Sequence, residues 1–444
     1  MTEYIIKRIL FSDGERLPML IDSKTGMPDY WSNLFSITQH RSKGQAANTI
    51  EQVLRQLMLF NIFLKHYSSE NIDLEERIVQ GKLLHLHEIE NLCDICKLFL
   101  EDINNDMHKR PLPKNISLSS LEKFRTSNSK KQIRTVSSDT TGNRIRVIRD
   151  FLIWRANVSL TKLQEEDLTF NRLKESRDLL KSNMTSRIPS SSKDSSTSGA
   201  PMGLSEEETS LLFEAVNRHS PANPWKNEFT KIRNELLILW LYQFGVRKGE
   251  LLSIKISDIN FQSETIVLER RADDSEDPRI NQPLIKTLGR KLAIPKKMIR
   301  LTHDYIINHR KHLPQVKKHE FLFVASKTGA PMSLDAVNKV FSKLKETYPD
   351  AFEKLSPHIL RHSWNDNFSE QMEKGDISEE KEKKYRSYLM GWEETSNSAA
   401  TYTKRYTQKK ANDVLLDMGN HLLENVLDNT FDNANIHDSN KEEK

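Results

Sequence analysis

Apolar residues recur at helical spacing over much of the chain, and only a few short runs suggest strands. In the first half the spacing predicts amphipathic helices within 43–66, 82–102 and 143–157. The apolar run from Tyr4 to Phe11 instead suggests a strand or hairpin. The first half is therefore predicted to be a small α-helical unit, preceded by about forty residues whose role the sequence leaves open.

The second half is also mainly helical, with three strand-like segments near its centre. The strands are expected at 264–270, 290–295 and 321–324. A long apolar helix should stop at Gly245, and later helices are expected at 296–312, 334–347, 357–373, 379–390 and near 410–428. The chain should be mostly α with a small β-sheet, an α+β fold.

Composition marks the boundaries between these regions. Residues 181–203 are rich in Ser, with Pro and Gly, which is typical of a linker. Ser205 and Glu208 then have the spacing of a capping box that opens a new domain. We therefore predict five segments: an N-terminal segment (1–40), a helical domain (41–180), a linker (181–203), a second domain (204–428) and a disordered tail (429–444).

Composition and charge limit the functional classes. Of the 444 residues, 36% are hydrophobic and 29% are charged, and no apolar stretch approaches the ~20 residues of a membrane span. With no secretory signal in its first residues, the protein is expected to be cytoplasmic, without a membrane partner. The net charge is only +5. The segment from Lys109 to Arg149, however, contains eleven Lys and Arg and only two acidic residues, Glu122 and Asp139, so its local charge is +9. Such a block suits phosphate contacts or a solvated connector, and charge alone does not decide between them.

The two cysteines, Cys93 and Cys96, form a single CxxC. A zinc site needs a second pair of ligands, and although His85 and His87 are near, one amphipathic helix cannot wrap four ligands around an ion. We expect reduced thiols in the core and no bound metal.

Four separated segments carry residue types that phosphodiester chemistry needs. In the first, Arg247 follows the helix-ending Gly245, where its side chain can project from a turn, and Glu250 could hold it. In the second, His358 and Arg361 are three residues apart and share one face of a helix. A guanidinium grips two phosphate oxygens and an imidazole moves protons. His362 should point elsewhere; taken singly, either pair could be an ordinary surface feature.

The third segment places Lys286 in the loop between the two predicted strands, where a mobile ammonium could protonate a leaving oxygen. It is preferred over Arg290 and Lys291, which begin the returning strand, although loop lysines usually serve solubility. In the fourth segment, Tyr402 and Tyr406 follow a Gly-Trp pair and a small polar loop. A phenol becomes a nucleophile only when cations stabilise the phenolate and a base takes its proton.

Together the four segments resemble the tyrosine recombinase (phage integrase) family. Arg with Glu three residues on, a hairpin Lys, H-x-x-R-H, Gly-Trp and a following Tyr occur in the order of the family. The resemblance covers 204–428, and reaches 41–180 only by position and character, as a core-binding domain. It implies a site-specific DNA recombinase in which two domains form a C-shaped clamp on DNA.

The resemblance also implies a role for each residue. Arg247 and Arg361 would clamp the scissile phosphate, and Tyr402 would attack it to form a 3′-phosphotyrosyl link. Lys286 would act as general acid towards the 5′ oxygen. His358 would assist proton transfer, and Glu250 would organise the Arg247–His358 side of the site. Trp392 would pack or hydrogen-bond against the phosphate. Because the phosphotyrosine stores the bond energy, neither ATP nor a metal cofactor is expected.

The sequence departs from the family in spacing. Tyr402 lies ten residues after Trp392 rather than about nine, Lys286 is one residue further from Pro295, and 374–386 is longer and more charged than usual. Tyr402 is preferred over Tyr406 because its spacing is closer.

The implied partners are double-stranded DNA attachment sites, a homotetramer on paired sites, and accessory DNA-bending or directionality proteins. The protein would then be nucleoid-associated, with DNA contacts from a basic helix carrying Arg144, Arg146 and Arg149. The apolar segment 414–427 could dock on a neighbouring protomer or on its own domain. A type IB topoisomerase and a non-catalytic DNA-binding relic remain alternatives.

Overall fold

The computed structural model describes residues 3–66, 72–107, 134–190, 202–375 and 377–418, apart from 405, 409 and 413. Contacts divide the chain into two compact units, Met1–Ser195 and Ser196–Lys444. Most of the predicted basic block, most of the predicted linker and the whole predicted tail lie outside the described residues.

The first unit opens with a β-hairpin, as the apolar run near the N-terminus predicts. Strands β1 (Tyr4–Leu10) and β2 (Arg16–Asp22) pair antiparallel in register from Tyr4 opposite Asp22 to Leu10 opposite Arg16. Arg16 is buried and donates from Nη1 to the carbonyl of Gly14 at 2.6 Å, which closes the turn.

The described residues of the first unit then form seven α-helices: α1 (Tyr30–Gln39), α2 (Ala47–His66), α3 (Leu74–Val79), α4 (Leu86–Ile95), α5 (Leu100–Met107), α6 (Ser138–Leu160) and α7 (Leu168–Ser186). The helices predicted within 43–66 and 143–157 are confirmed as α2 and α6. Helix α7 runs several residues into the segment predicted as linker.

The prediction of a single helix over 82–102 is wrong, because the helical conformation is interrupted between α4 and α5. Leu98 forms an isolated bridge with Thr135, and the Val136 amide donates to the Lys97 carbonyl at 2.8 Å. This pairing takes the backbone of 97–98 out of the helix. Cys93 and Cys96 are buried in the core, as expected, and burial raises the pKa of Cys93 to about 11 and that of Cys96 further.

The second unit is built around the apolar helix α9 and a small sheet. Its helices are α8 (Glu206–Val216), α9 (Glu228–Phe244), α10 (Lys248–Ser253), α11 (Lys296–Asp304), α12 (Leu334–Thr347), α13 (Pro349–Phe352), α14 (Pro357–Lys374) and α15 (Glu379–Met390). Helix α11 continues through a π turn (Tyr305–His309) into a 3₁₀ turn (Arg310–His312). After α15, residues 398–404 begin a terminal helical segment that is described as far as 418. The capping box of Ser205 and Glu208 opens α8 as predicted.

The antiparallel sheet of this unit has the order β3 (Ile259–Asn260), β4 (Thr265–Leu268) and β5 (Arg290–Ala293). The strand predicted at 321–324 is wrong: Phe321 and Val324 make only isolated bridges, to Lys255 and Pro331. The mostly α fold with small sheets is as predicted. Among the described residues, no helix combines the length and apolar character needed to cross a membrane.

Candidate active site

The turn after α9 holds the first arginine of the candidate site. Gly245 ends the helix in the left-handed region (φ 57°), and its amide donates to the Leu241 carbonyl at 3.1 Å. A Cβ at this position would lie 2.8 Å from Cγ of Trp364, so the turn requires glycine for space as well as for conformation. Arg247 then caps α10, and its half-buried guanidinium carries a buried Nη1 that has no hydrogen-bond partner within the described structure.

The second arginine is anchored to the same turn. Ser356 caps α14 and Pro357 occupies its first position, so the helix starts at a fixed point four residues before Arg361. Arg361 is only 1% exposed and donates from Nη1 to the Gly245 carbonyl at 2.6 Å. Its Nη2 is buried without a partner in the described parts of the chain. Burial, followed by the charge of Arg247, lowers the pKa of Arg361 to about 10, so the group remains a cation at neutral pH.

A buried carboxylate lies behind the two arginines. Glu250 is fully buried, and its Oε2 accepts from the Arg247 amide at 3.0 Å and from Nη2 of Arg290 at 3.1 Å. Its Oε1 accepts from the hydroxyl of Thr287. Burial by itself raises the pKa of Glu250, but Arg290, Thr287 and Arg361 outweigh it and hold that pKa below its ordinary value. The carboxylate is therefore ionised.

Trp392 and Tyr402 complete the arrangement of rings and charge. Gly391 ends α15 with φ 64°, and the Trp392 side chain that follows is buried. The Tyr402 ring stacks on the Trp392 ring, with centroids 5.5 Å apart and planes inclined by 13°. The guanidinium carbon of Arg361 lies 5.3 Å from the Trp392 ring, and the indole Nε1 is buried with no hydrogen-bond partner among described residues. Tyr402 and Arg361 thus both lie against the Trp392 ring.

The two histidines of α14 differ from the prediction. His358 is exposed at the second position of the helix; partial burial, then the charges of Arg361 and Arg247, lower its pKa, which favours the neutral imidazole. His362 was expected to point elsewhere, and this is wrong. Its ring is buried, 4.5 Å from that of His358 and 5.4 Å from that of Tyr402. Residues i+3 and i+4 both neighbour residue i on a helix, so Arg361 and His362 flank His358 together.

The competing tyrosine is engaged elsewhere. The Tyr406 hydroxyl donates to Oε2 of Glu373 at 2.5 Å, and Lys410 lies 5.6 Å from its ring. Partial burial and the Glu373 carboxylate raise the pKa of Tyr406 to about 12. A phenol bonded to a carboxylate and with a raised pKa is a poor candidate nucleophile.

An open cleft of about 450 Å³ lies beside Arg247 and Trp392, and the exposed Lys286 lines it. The segment carrying Lys286 is held in place, because the Leu288 amide donates to the Gly391 carbonyl at 2.9 Å. Arg270 also lines the cleft, and it forms no ion pair with any residue that the structure describes. Sequence reasoning missed it, although continuing the β4–β5 pairing past Leu268 opposite Arg290 brings Arg270 to the same end of the hairpin.

The predicted DNA contacts on α6 divide into two kinds. Arg144 is buried and donates from Nη1 to the carbonyls of Cys96 and Leu98 at 3.0 and 2.5 Å. Its burial and these two bonds give Arg144 a structural role in place of the predicted DNA contact. Arg146 is exposed, and the half-buried Arg149 pairs with the adjacent Asp150 at 2.8 Å; both remain predictions.

Comparison with known families addresses the second unit. Residues 203–412 match the model of the phage integrase family. The match covers just under half of the 444 residues. Within the described residues, no group of three or more His, Cys, Asp or Glu side chains could hold a metal ion.

Three curated relatives resemble part of this chain. Tyrosine recombinase XerA of Pyrococcus furiosus is 29% identical over 164 residues, which cover 37% of this chain and 46% of the relative. Transposase A from transposon Tn554 of Staphylococcus aureus is 26% identical over 135 residues, covering 30% and 34%. Tyrosine recombinase XerD of Halalkalibacterium halodurans is 24% identical over 173 residues, covering 38% and 48%. The similarity thus spans less than half the length of each of these relatives.

Two solved structures also match this chain at low similarity. The Tn1549 transposon integrase in complex with transposon right end DNA is 14% identical with a TM-score of 0.40, covering 82% of this chain and 99% of that one. XerH recombinase bound to a palindromic difH substrate is 17% identical with a TM-score of 0.38, covering 82% and 95%.

Proposed function

We propose that this protein is a site-specific DNA recombinase that cuts and rejoins DNA strands through a 3′-phosphotyrosine at Tyr402. One observation carries the proposal: two arginines share the Gly245 turn, and the Trp392 ring connects the second of them to the stacked ring of Tyr402. The two arginines suit an anionic phosphate, and Tyr402 supplies a nearby phenol that could attack it.

In this proposal Arg247 and Arg361 bind the non-bridging oxygens of the scissile phosphate. Each carries a buried Nη atom that lacks a hydrogen-bond partner within the described residues. Buried donors are costly to leave unpaired, so an anionic ligand that accepts from both relieves that cost. Because the donors are already in place, they stabilise the additional negative charge of the transition state without reorganisation.

The Tyr402 oxygen forms a bond to phosphorus as the bond from phosphorus to the DNA 5′ oxygen breaks. Lys286 gives a proton to the departing 5′ oxygen, while His358, neutral because its pKa is lowered, accepts the phenol proton. The buried indole Nε1 of Trp392 donates to the phosphate. Rejoining is the reverse step, in which a 5′ hydroxyl attacks the phosphotyrosine. The bond energy is conserved, so the reaction proceeds without ATP or a metal.

The substrate is double-stranded DNA carrying attachment sites, and the active assembly is a homotetramer on paired sites, directed by accessory proteins. Arg146 and Arg149 would contact the DNA backbone from the first unit. Exposed apolar side chains in the terminal helical segment support docking on a neighbouring protomer: Val414, Leu415, Leu416 and Met418.

A nicked suicide DNA tests the chemistry. The protein should form a covalent adduct with the 3′ end of the cut strand that survives boiling in detergent, and Tyr402→Phe should abolish it. Tyr406→Phe is the matched control and should keep it; the reverse result would transfer the nucleophile to Tyr406. Strand exchange between two marked sites, compared with simple relaxation of a plasmid, then separates recombination from topoisomerase activity.

A further inference from the structure

Arg290 is a buried cation that the proposed chemistry does not use. It begins β5, its side chain is 1% exposed, and all three of its nitrogens are hydrogen-bonded. Nε donates to the Leu389 carbonyl at 2.7 Å, Nη1 to the Thr287 hydroxyl at 3.2 Å, and Nη2 to Oε2 of Glu250 at 3.1 Å. Because the side chain is buried and each of its nitrogens already donates within the protein, Arg290 acts through its neighbours.

Arg247 and Arg290 both lie beside the Glu250 carboxylate, and the one that pairs with it is not available to a phosphate. Oε1 of Glu250 lies 3.8 Å from Nη1 of Arg247, a distance at which the charges attract but no hydrogen bond forms. The nearer cation, Arg290, is bonded to the same carboxylate. If Glu250 had no other cation, Arg247 would be its closest available partner and would close the gap, because a buried carboxylate needs a paired charge.

We propose that Arg290 is a positioning residue for strand cleavage. Its Nη2 binds Oε2 of Glu250, and its Nη1 is connected to Oε1 of Glu250 through the Thr287 hydroxyl. Both carboxylate oxygens are therefore engaged, and Arg247 stays available for the scissile phosphate. This inference rests on the proposed function, because the readout is the covalent adduct. It predicts that the loss of Arg290 harms the reaction through Glu250, and that removing the charge of Glu250 at the same time corrects the harm.

The test compares adduct formation by Arg290→Met, Glu250→Gln and the double variant on the suicide DNA. Arg290→Met should slow the adduct about 100-fold, the scale on which one transition-state donor acts. Glu250→Gln should also be slow, because it leaves Arg290 buried without its counter-charge. The double variant buries neither charge alone and should recover to within about 10-fold of the original protein, a strongly non-additive result. Slower formation by the double variant than by either single variant would overturn the inference.

The pH profile gives a readout that a merely structural role would not move. The charged and titratable groups that face Glu250 are Arg247 at the start of its own helix, Arg290 on β5 and Arg361 on α14. Without Arg290 the carboxyl is easier to protonate, and protonation releases Arg247. The rate of Arg290→Met relative to the original protein should therefore rise as the pH falls, and a flat ratio would contradict the inference.

A matched control is Arg279→Met, which breaks another buried arginine–carboxylate pair of the same unit, Arg279 with Asp277 at 2.8 Å. It should lose stability without a pH-dependent loss of adduct, and adding Asp277→Asn should not change the adduct rate further. Circular dichroism establishes that each variant is folded before it is assayed, and Arg290→Lys serves if Arg290→Met is not folded, with partial activity expected. If the original protein forms no adduct, the proposed function fails; if it does and Arg290→Met equals it, only this inference fails.

Discussion

Replacing Gly245 with alanine tests whether one turn positions both arginines of the site. The residue has φ 57°, and a left-handed conformation costs an alanine roughly 1–2 kcal/mol. The added Cβ would also lie 2.8 Å from Cγ of Trp364 and 3.0 Å from Cε of Met390, and overpacking of this kind costs about 1–3 kcal/mol. We therefore expect the free energy of unfolding of the second unit to fall by about 2–5 kcal/mol.

Hydrogen exchange of the α9 amides measures this loss within the second unit. The control is Gly26→Ala, at φ 71° with nothing within 4 Å of the new Cβ, which should show the conformational cost alone in the amides of β2. The adduct rate should fall more than the folded fraction does, because the Gly245 carbonyl anchors Arg361. A loss no greater than that of the Gly26 variant, with an unchanged adduct rate, would refute the reasoning.

Three further predictions concern the cleft, the first unit and pH. Arg270→Ala should weaken DNA binding and reduce the salt dependence of the affinity by about one phosphate contact, while the adduct rate at saturating DNA stays unchanged. The control is Arg300→Ala, at an exposed residue of α11 that does not line the cleft, and it should change neither the DNA affinity nor its salt dependence. Arg144→Met should lower the free energy of unfolding of the first unit by about 1–3 kcal/mol, because two buried carbonyls lose their donor, whereas Arg146→Ala should leave stability unchanged when both are followed by denaturant unfolding. Since the pKa of His358 is lowered, its neutral form persists below the ordinary value of 6.5; the adduct rate should fall only at more acidic pH, and that acid limb should be absent in His358→Gln. An acid limb centred above 6.5 would contradict the assignment of His358.

The sequence alone predicts the candidate site residues whose order along the chain matches that of the family. Arg247 follows a helix-ending glycine, and His358 with Arg361 begins a capped helix, so local rules place each of them with little freedom. Tyr402 was distinguishable from Tyr406 only by spacing, and the structure adds a physical reason, because the Tyr406 hydroxyl is bonded to Glu373.

Long-range contacts account for the predictions that are wrong. Residues 82–102 have the periodicity of one helix, but the bridge from Leu98 to Thr135 joins positions that no local pattern relates. Arg144 has the sequence context of a DNA contact, and only the carbonyls of Cys96 and Leu98 show that it is structural. The sequence correctly predicts that Arg290 begins a strand, but spacing does not reveal its pairing with Glu250, forty positions away.

The hydrogen bond between the Leu288 amide and the Gly391 carbonyl has a mechanical consequence. It joins the loop that carries Lys286 to the turn that carries Trp392, and the two backbones are so close that a Cβ on Gly391 would lie 2.8 Å from the Leu288 carbonyl oxygen. The backbone that carries Lys286 and the backbone that carries Trp392 are therefore tied together, although the two segments are about a hundred positions apart in the sequence. A substitution that displaces one of these turns should displace the other as well.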